Sequence, residues 1–292
     1  MRSRLSPIPE KAVKAQLSEL IAKSKGAIES ITVTRPLGAA SVGQTILCSI
    51  KLTDEAEPRE CVIKMLRPDA HMRALREAEV FREVAKDIEG MPLTFEGKLE
   101  GIMKELDLGI EAENVRTCLN VYDAGTHKVN KTFNNVNSMR LSEIPGARPT
   151  RTLMVLERAP GVPMDKFIDD ATASITTERA NALEAIEKRP GEDAVVTMLD
   201  GAGELTKTHD DALAKHDGLT NMTTVWIREG LFTKTGFYHG DLHAGNIMVP
   251  TAEDLRKGGP NGVTMIDFGN ATKLTPEEQK NVIRVIAGAA WT

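Results

Sequence analysis

Between Gly236 and Gly269 the chain reads GFYHGDLHAGNIMVPTAEDLRKGGPNGVTMIDFG, and this stretch restricts the possible folds more than any other. His239-x-Asp241-x-His243-x-x-Asn246 sets an Asp and an Asn five residues apart, and Asp267-Phe268-Gly269 follows 26 residues after Asp241. An Asp in the first position can accept the proton of an attacking hydroxyl. An Asn and the Asp of an Asp-Phe-Gly turn are the hard oxygen donors that hold Mg²⁺ against nucleotide phosphates. A lone His-x-Asp is usually surface chemistry and a lone Asp-Phe-Gly often only a turn. Both together, in this order, point to phosphoryl transfer. Ile247–Val249 and Val263–Ile266 read as short strands, and Pro250 to Gly262, rich in Gly and Pro, as an extended loop joining them.

Composition sets the outer limits. The chain has 292 residues, 41% of them apolar, enough for one two-lobed domain. With 37 basic and 42 acidic residues the net charge is −5, which argues against general affinity for nucleic acid. Cys48, Cys61 and Cys118 are an odd number without CxxC spacing, the pattern of reduced intracellular thiols. No run approaches 18 apolar residues, and the first 25 residues lack the apolar core of a secretory signal. The expected location is cytoplasmic. A signal read by a specialised secretion machine would leave no such trace, and peripheral contact with a membrane stays open.

The remaining segments supply the rest of a nucleotide site. Pro9 to Lys25 is a helix candidate with Val13, Leu17, Leu20 and Ile21 on one face. Gly38-Ala39-Ala40-Ser41-Val42-Gly43-Gln44 reads as a loop of small residues between β-rich runs. Backbone N–H groups can approach phosphate where side chains do not intrude, and Ala makes such a loop stiffer than Gly would. Cys61 to Leu66 is the next strand, and its Lys64 is the candidate for the α/β-phosphates, although alone it would read as a solvated lysine. Two helices are expected, Asp69 to Glu89 with Leu75, Ala78, Phe81, Ala85 and Ile88 inward, and Gly97 to Asn120 with Leu99, Ile102, Met103, Leu106 and Ile110 inward. Glu105, Asp107 and Glu111 lie on the second. Asp107 and Glu111, four apart, are expected to share a face, and one of the three to pair with Lys64. Strands at Asn137–Leu141 and Leu153–Leu156 precede a break at Glu157 to Pro163, the candidate hinge whose backbone would meet adenine. Residues 170–217 read as a polar helical insert and Thr220 to Phe232 as a helix feeding the catalytic loop. Thr275 caps a last helix with Val282, Ile283, Val285 and Ile286 on its apolar face. A second lobe ending there is expected to be minimal or cut short.

Taken together, these stretches resemble the UbiB-like, or ADCK-type, atypical kinases, linked to coenzyme Q metabolism. Pro36 to Gln44 is similar to that family's alanine-rich loop, and Val62-Ile63-Lys64 through Arg67-Pro68 to its lysine strand. Glu105-Leu106-Asp107 through Glu111-Ala112 is similar to its Glu-x-Asp motif and helix glutamate, and Met154 to Arg158 with Gly161-Val162-Pro163 to its hinge. Two departures stand out: the family's Lys-x-Gly-Gln motif is missing, and Ala244 stands where the loop often has Pro. His-Gly-Asp-Leu-His is also similar to aminoglycoside and choline kinases.

The resemblance implies an α+β, two-lobed protein-kinase-like fold, with a small β-rich N-lobe over 31–157 and a mainly helical C-lobe over 158–292, preceded by a helical extension over 1–30. It implies an ATP- and Mg²⁺-dependent phosphotransferase acting on an unidentified acceptor. Asp241, Lys64, Glu111 and Asn246 would be catalytic. Ala39, Ala40, Ser41, Val42, Lys64, Glu157 and His243 would bind nucleotide, and Asn246 and Asp267 metal. The alternatives are a small-molecule kinase of the aminoglycoside or choline type and an ATP-binding scaffold with little turnover.

Overall fold

The computed structural model describes residues 7–39, 42–86, 99, 101–122, 136–170, 172–173, 176–177, 218–257 and 262–290. Helix α1 (Glu10–Lys23) buries Val13, Leu17 and Leu20, and ends where Lys25 and Gly26 take positive φ of 53° and 90°. It packs on a four-stranded antiparallel sheet of order β1-β2-β3-β5, formed by Ile28–Ala39, Gly43–Leu52, Arg59–Leu66 and Leu153–Glu157. Ile46, Ile50, Ile63, Met65 and Val155 fill the space between helix and sheet. Among the described residues β1 pairs only with β2, as an edge strand that tolerates Pro36, and the register shifts between Pro36 and Gly38.

A second apolar cluster is built on the other side. Helix α2 (Ala70–Ala85) leads toward helix α3 (Leu108–Val121), which packs against β4 (Val136–Ser138) and β5. β4 pairs in parallel with β9 (Val263–Met265), in a sheet of order β4-β9-β8-β6 whose other members are Ile247–Val249 (β8) and Val162–Pro163 (β6). A two-stranded ribbon joins β7 (Phe237–His239) to β10 (Ala271–Lys273). Leu106, Leu108, Val115, Tyr122, Met154, Val225, Met265 and Phe268 form the centre of this cluster. Helical residues 218–227 pass into a π-helical turn at Arg228–Phe232, which Gln279 of the last helix, α5 (Pro276–Ala290), clamps through the carbonyls of Gly230 and Thr233. Among the described residues no helix is long and apolar enough to cross a membrane.

Several sequence expectations are corrected. The single helix over 97–120 is broken: Asp107 is extended (φ −131°, ψ 94°), accepts a bond from the Gly109 N–H and caps α3. Asp107 therefore does not share a face with Glu111; its carboxylate meets Arg151 at 3.1 Å. Leu99 and Leu106 are buried, but Ile102 and Ile110 are about 40% exposed. On α2 only Ala78 of the expected stripe is buried, while Leu75 and Phe81 are exposed; Ile88 and the Ala85 side chain lie outside the described residues. The loop expected from Gly38 to Gln44 is shorter, because pairing carries β1 to Ala39 and starts β2 at Gly43. The stretch from Pro250 to Gly262 includes a short helix, α4 (Ala252–Arg256), held by a capping box between Thr251 and Asp254. Val285 and Ile286 of α5 are exposed while Val282 and Ile283 are half-buried, so described residues cover only part of its apolar face. The insert over 170–217 lies outside them except at 170, 172–173 and 176–177, which are helical.

Candidate active site

The site lies where the first sheet faces β8 and β9. Lys64 points from β3, paired with Thr45 on one side and Met154 on the other. Its ammonium is 2.8 Å from Glu111 Oε1 on α3 and 2.9 Å from Asp267 Oδ1 after β9. Burial works against the charge on Lys64, but the two carboxylates more than offset it and its pKa is raised. Burial pushes Glu111 up to about 7, Lys64 opposing and Asp267 reinforcing the shift. Burial would also raise Asp267, yet the Lys64 charge wins and lowers it. Asp267 adopts a left-handed backbone (φ 61°), uncommon for a residue with a side chain, and its N–H reaches the Met139 sulfur at 3.1 Å. Phe268 is fully buried, with its ring 4.8 Å from that of His239.

The segment from His239 to Asn246 is tied down from several directions. His239 is fully buried and its pKa is lowered, first by burial. Its Nδ1 accepts from the Asp241 N–H at 3.3 Å, which leaves Nε2–H to donate to the Ile266 carbonyl at 3.1 Å. The Trp226 indole N–H bonds the His239 carbonyl at 3.1 Å, and Tyr122 Oη bonds that of Phe237 at 2.5 Å. A Cβ at Gly240 would stand 2.5 Å from the Asn270 carbonyl, so the loop reaches β10 only with Gly there. Asn246 donates from Nδ2 to the Asp241 carbonyl at 2.9 Å, which turns its Oδ1 away from that contact.

Two adjoining cavities share Gly38, Thr45, Lys64, Glu111 and Asp267. The first, about 430 Å³, is roofed by Leu37, Leu47 and Val62, floored by Met248 and Ile266, and closed by Glu157 to Ala159 of the hinge segment. Gly161 (φ 103°) lets this segment cross β8, since a Cβ there would collide with the Val249 carbonyl. The second, about 360 Å³, is lined by Val42, Gln44, Glu105, Asp241 and Asn270. Partial burial, then Asp267 and Asp241, raise the Glu105 carboxyl.

Of the residues expected at the site, Lys64, Glu111 and Asp267 are in contact, and Asp241, Val42 and Glu157 line the cavities. His243 lines neither; its ring is exposed, with Nε2 3.9 Å from Asp241 Oδ2 and Nδ1 accepting from the Gly245 N–H. Ala40 and Ser41 lie outside the described residues, as does the Ala39 side chain. Sequence reasoning did not assign the apolar walls Leu37, Leu47, Met139, Met248 and Ile266, or Arg35 and Lys166 beside them. The walls carried a partial signal, since alternate residues of a strand must face the same way.

Residues 195–292 match the ABC1 atypical kinase-like domain. Curated relatives extend the likeness to most of the chain. The "Probable protein kinase UbiB" of Xanthomonas campestris pv. campestris (strain 8004) is 24% identical over 279 residues, 96% of this chain and 42% of that protein. The protein of that name from Xanthomonas euvesicatoria pv. vesicatoria (strain 85-10) is 26% identical over 84% of this chain and 36% of its own. The one from Xylella fastidiosa (strain M23) is 22% identical over 96% and 42%. The chain is thus similar to these UbiB proteins, its residues 195–292 to the ABC1 atypical kinase-like domain, and its fold is α+β. It spans about two-fifths of the length of these relatives.

Proposed function

We propose that this chain is an ATP- and Mg²⁺-dependent phosphotransferase, with the two lobes at 31–157 and 158–292. The observation that carries the reading is Lys64, held between Glu111 and Asp267 where an apolar cavity meets an acidic one. Adenine would lie between Val62 and Met248, against the backbone of Glu157 to Ala159. Lys64, braced by Glu111, would hold the α/β-phosphates, with Ala39 at the end of β1 and the following Ala40, Ser41 and Val42 as the further phosphate-binding residues. Magnesium fits the donors present: Asp267 and the Asn246 Oδ1 are hard oxygens, and Mg²⁺ is usually held by one or two protein ligands plus substrate phosphates. Among the described residues no cluster of three or more His, Cys, Asp or Glu makes a dedicated metal cage, which suits that mode. The ion, when bound, neutralises charge between phosphate oxygens. Asp241 would accept the proton of the acceptor hydroxyl, and His243, at 3.9 Å, would steady its carboxylate rather than reach phosphate.

A cationic small-molecule acceptor is favoured by one observation, the convergence of Glu105, Asp241 and Asp267 on one cavity. Incubation of the protein with γ-labelled ATP and Mg²⁺, with and without cell lysate, tests these readings. Label in protein bands supports a protein acceptor, and label only in small molecules supports the second reading. ATP binding without turnover contradicts both and leaves a nucleotide-binding scaffold.

The alanine-rich sequence between β1 and β2 gives a separate expected result. Ala39→Gly frees the backbone over the phosphates and is expected to change the ratio of ATP to ADP affinity while leaving the melting temperature near wild type. Calorimetric titration of both nucleotides reads the ratio; an unchanged ratio removes this sequence from the phosphate site.

A further inference from the structure

Asn114 stands one turn beyond Glu111 on α3, half-buried, and its side chain is not on the wall of either cavity. Its amide donates twice: Nδ2 is 2.9 Å from the Phe268 carbonyl and 3.2 Å from the Ala271 carbonyl. Those carbonyls bracket the turn that follows Asp267. The Ala271 N–H closes the same turn onto Phe268 O at 3.1 Å. Ala271 then opens β10, which pairs with His239 at the entrance of the catalytic loop. One side chain thus joins the helix bearing Glu111 to the turn after Asp267 and to β10, the partner of the strand that leads to Asp241.

We propose that Asn114 is a positioning residue that fixes the Asp267 carboxylate for magnesium by holding the turn Phe268–Ala271. This rests on the Mg²⁺-nucleotide reading above. The chemistry is specific to an amide. A group with two N–H donors suits two carbonyl acceptors, and a residue without donors takes this partner from the Ala271 carbonyl and leaves the Phe268 carbonyl with the Ala271 N–H. An ionised Asp, of the same shape, turns an acceptor toward two acceptors and repels them. The isosteric change is therefore worse than truncation, the reverse of what packing alone would give.

The test is Mg²⁺ titration of ADP binding to the full chain, read by calorimetry, for wild type, Asn114→Ala, Asn114→Asp and Asn114→Ser. The Mg²⁺ midpoint is expected to rise roughly tenfold in Asn114→Ala, the worth of two modest hydrogen bonds. It should rise further in Asn114→Asp and less in Asn114→Ser, which keeps one donor. ADP binding without Mg²⁺ should stay within about twofold, a smaller change than one neutral hydrogen bond is worth. In the nucleotide-free protein, hydrogen exchange at the Ala271 amide should quicken in Asn114→Ala. Should Asn114→Ala or Asn114→Asp fail to fold, Asn114→Ser alone decides, by the direction of its midpoint. Variants that lose thermal stability yet keep the wild-type midpoint overturn the proposal. If wild type itself shows no Mg²⁺-dependent ADP binding, the reading of the site fails and this inference falls with it. A wild-type midpoint shared by all variants fails the inference alone.

Discussion

Lys64→Met is expected to lower phosphoryl transfer by orders of magnitude and also to destabilise the nucleotide-free protein in a pH-dependent way. Removing the ammonium leaves the buried Glu111 without its cation and facing a half-exposed Asp267; breaking one side of a buried ion pair typically costs about 3–5 kcal/mol, and solvent at Asp267 places the loss toward the lower end. The sign of the pH dependence follows from the carboxylates. Burial raises Glu111 to about 7 even with Lys64 beside it, so below that pH it is protonated with or without the lysine, and the added cost of ionising it without Lys64 appears only as pH rises above about 7. Asp267 is lowered by Lys64, and that stabilisation is present above its unfolded value near 3.8 and lost as pH falls further. Lys64 itself is raised and stays charged throughout this range. The melting temperature of Lys64→Met should thus lie roughly 5–10 °C below wild type at pH 8, with the gap narrowing toward pH 5. An equal gap at both ends of the range would show that Glu111 adds nothing to it, since the Asp267 contribution is the same at pH 5 and pH 8.

Asp241→Asn should lose about 10²- to 10⁴-fold in rate, the usual contribution of a positioned base, with little change in the KM for ATP. The side chain is largely exposed, and its backbone is held independently through His239 and Asn246, so the fold should not suffer. Steady-state kinetics with any acceptor found by labelling separates the two parameters. A rise in KM matching the fall in kcat/KM would move Asp241 from proton transfer to nucleotide binding.

What was legible in the sequence was local. His239 to Asn246 and Asp267 to Gly269 carry their side chains on short rigid spacings, so letters alone locate the loop, the turn and the strands that flank them. Lys64 needed the downstream motifs to distinguish it from a solvated lysine, and contact with Glu111 across 47 residues is a tertiary fact. The break at Asp107 was missed because apolar residues continue across it at helical spacing, although an Asp before an apolar run is a capping signal. The helix at Ala252–Arg256 was missed for a similar reason, since Thr251-x-x-Asp254 was available and the surrounding Gly and Pro outweighed it. Amphipathic patterning identified the apolar face of α5 but could not say what lies against it; Val285 is 72% exposed. Asn114 carried no signal, because an amide on a helix reads as surface until its acceptors are known.

Thermal shift with Mg²⁺-ATP on wild type, Asp241→Asn and Asp267→Asn bears most directly on the cleft being a magnesium–nucleotide site. A ligand at about 100 times its dissociation constant adds about 2.7 kcal/mol, a rise of roughly 5 °C for a chain of this size. Wild type and Asp241→Asn should show that Mg²⁺-dependent rise, and Asp267→Asn should lose most of it. A full rise in all three, or none in wild type, would contradict the account.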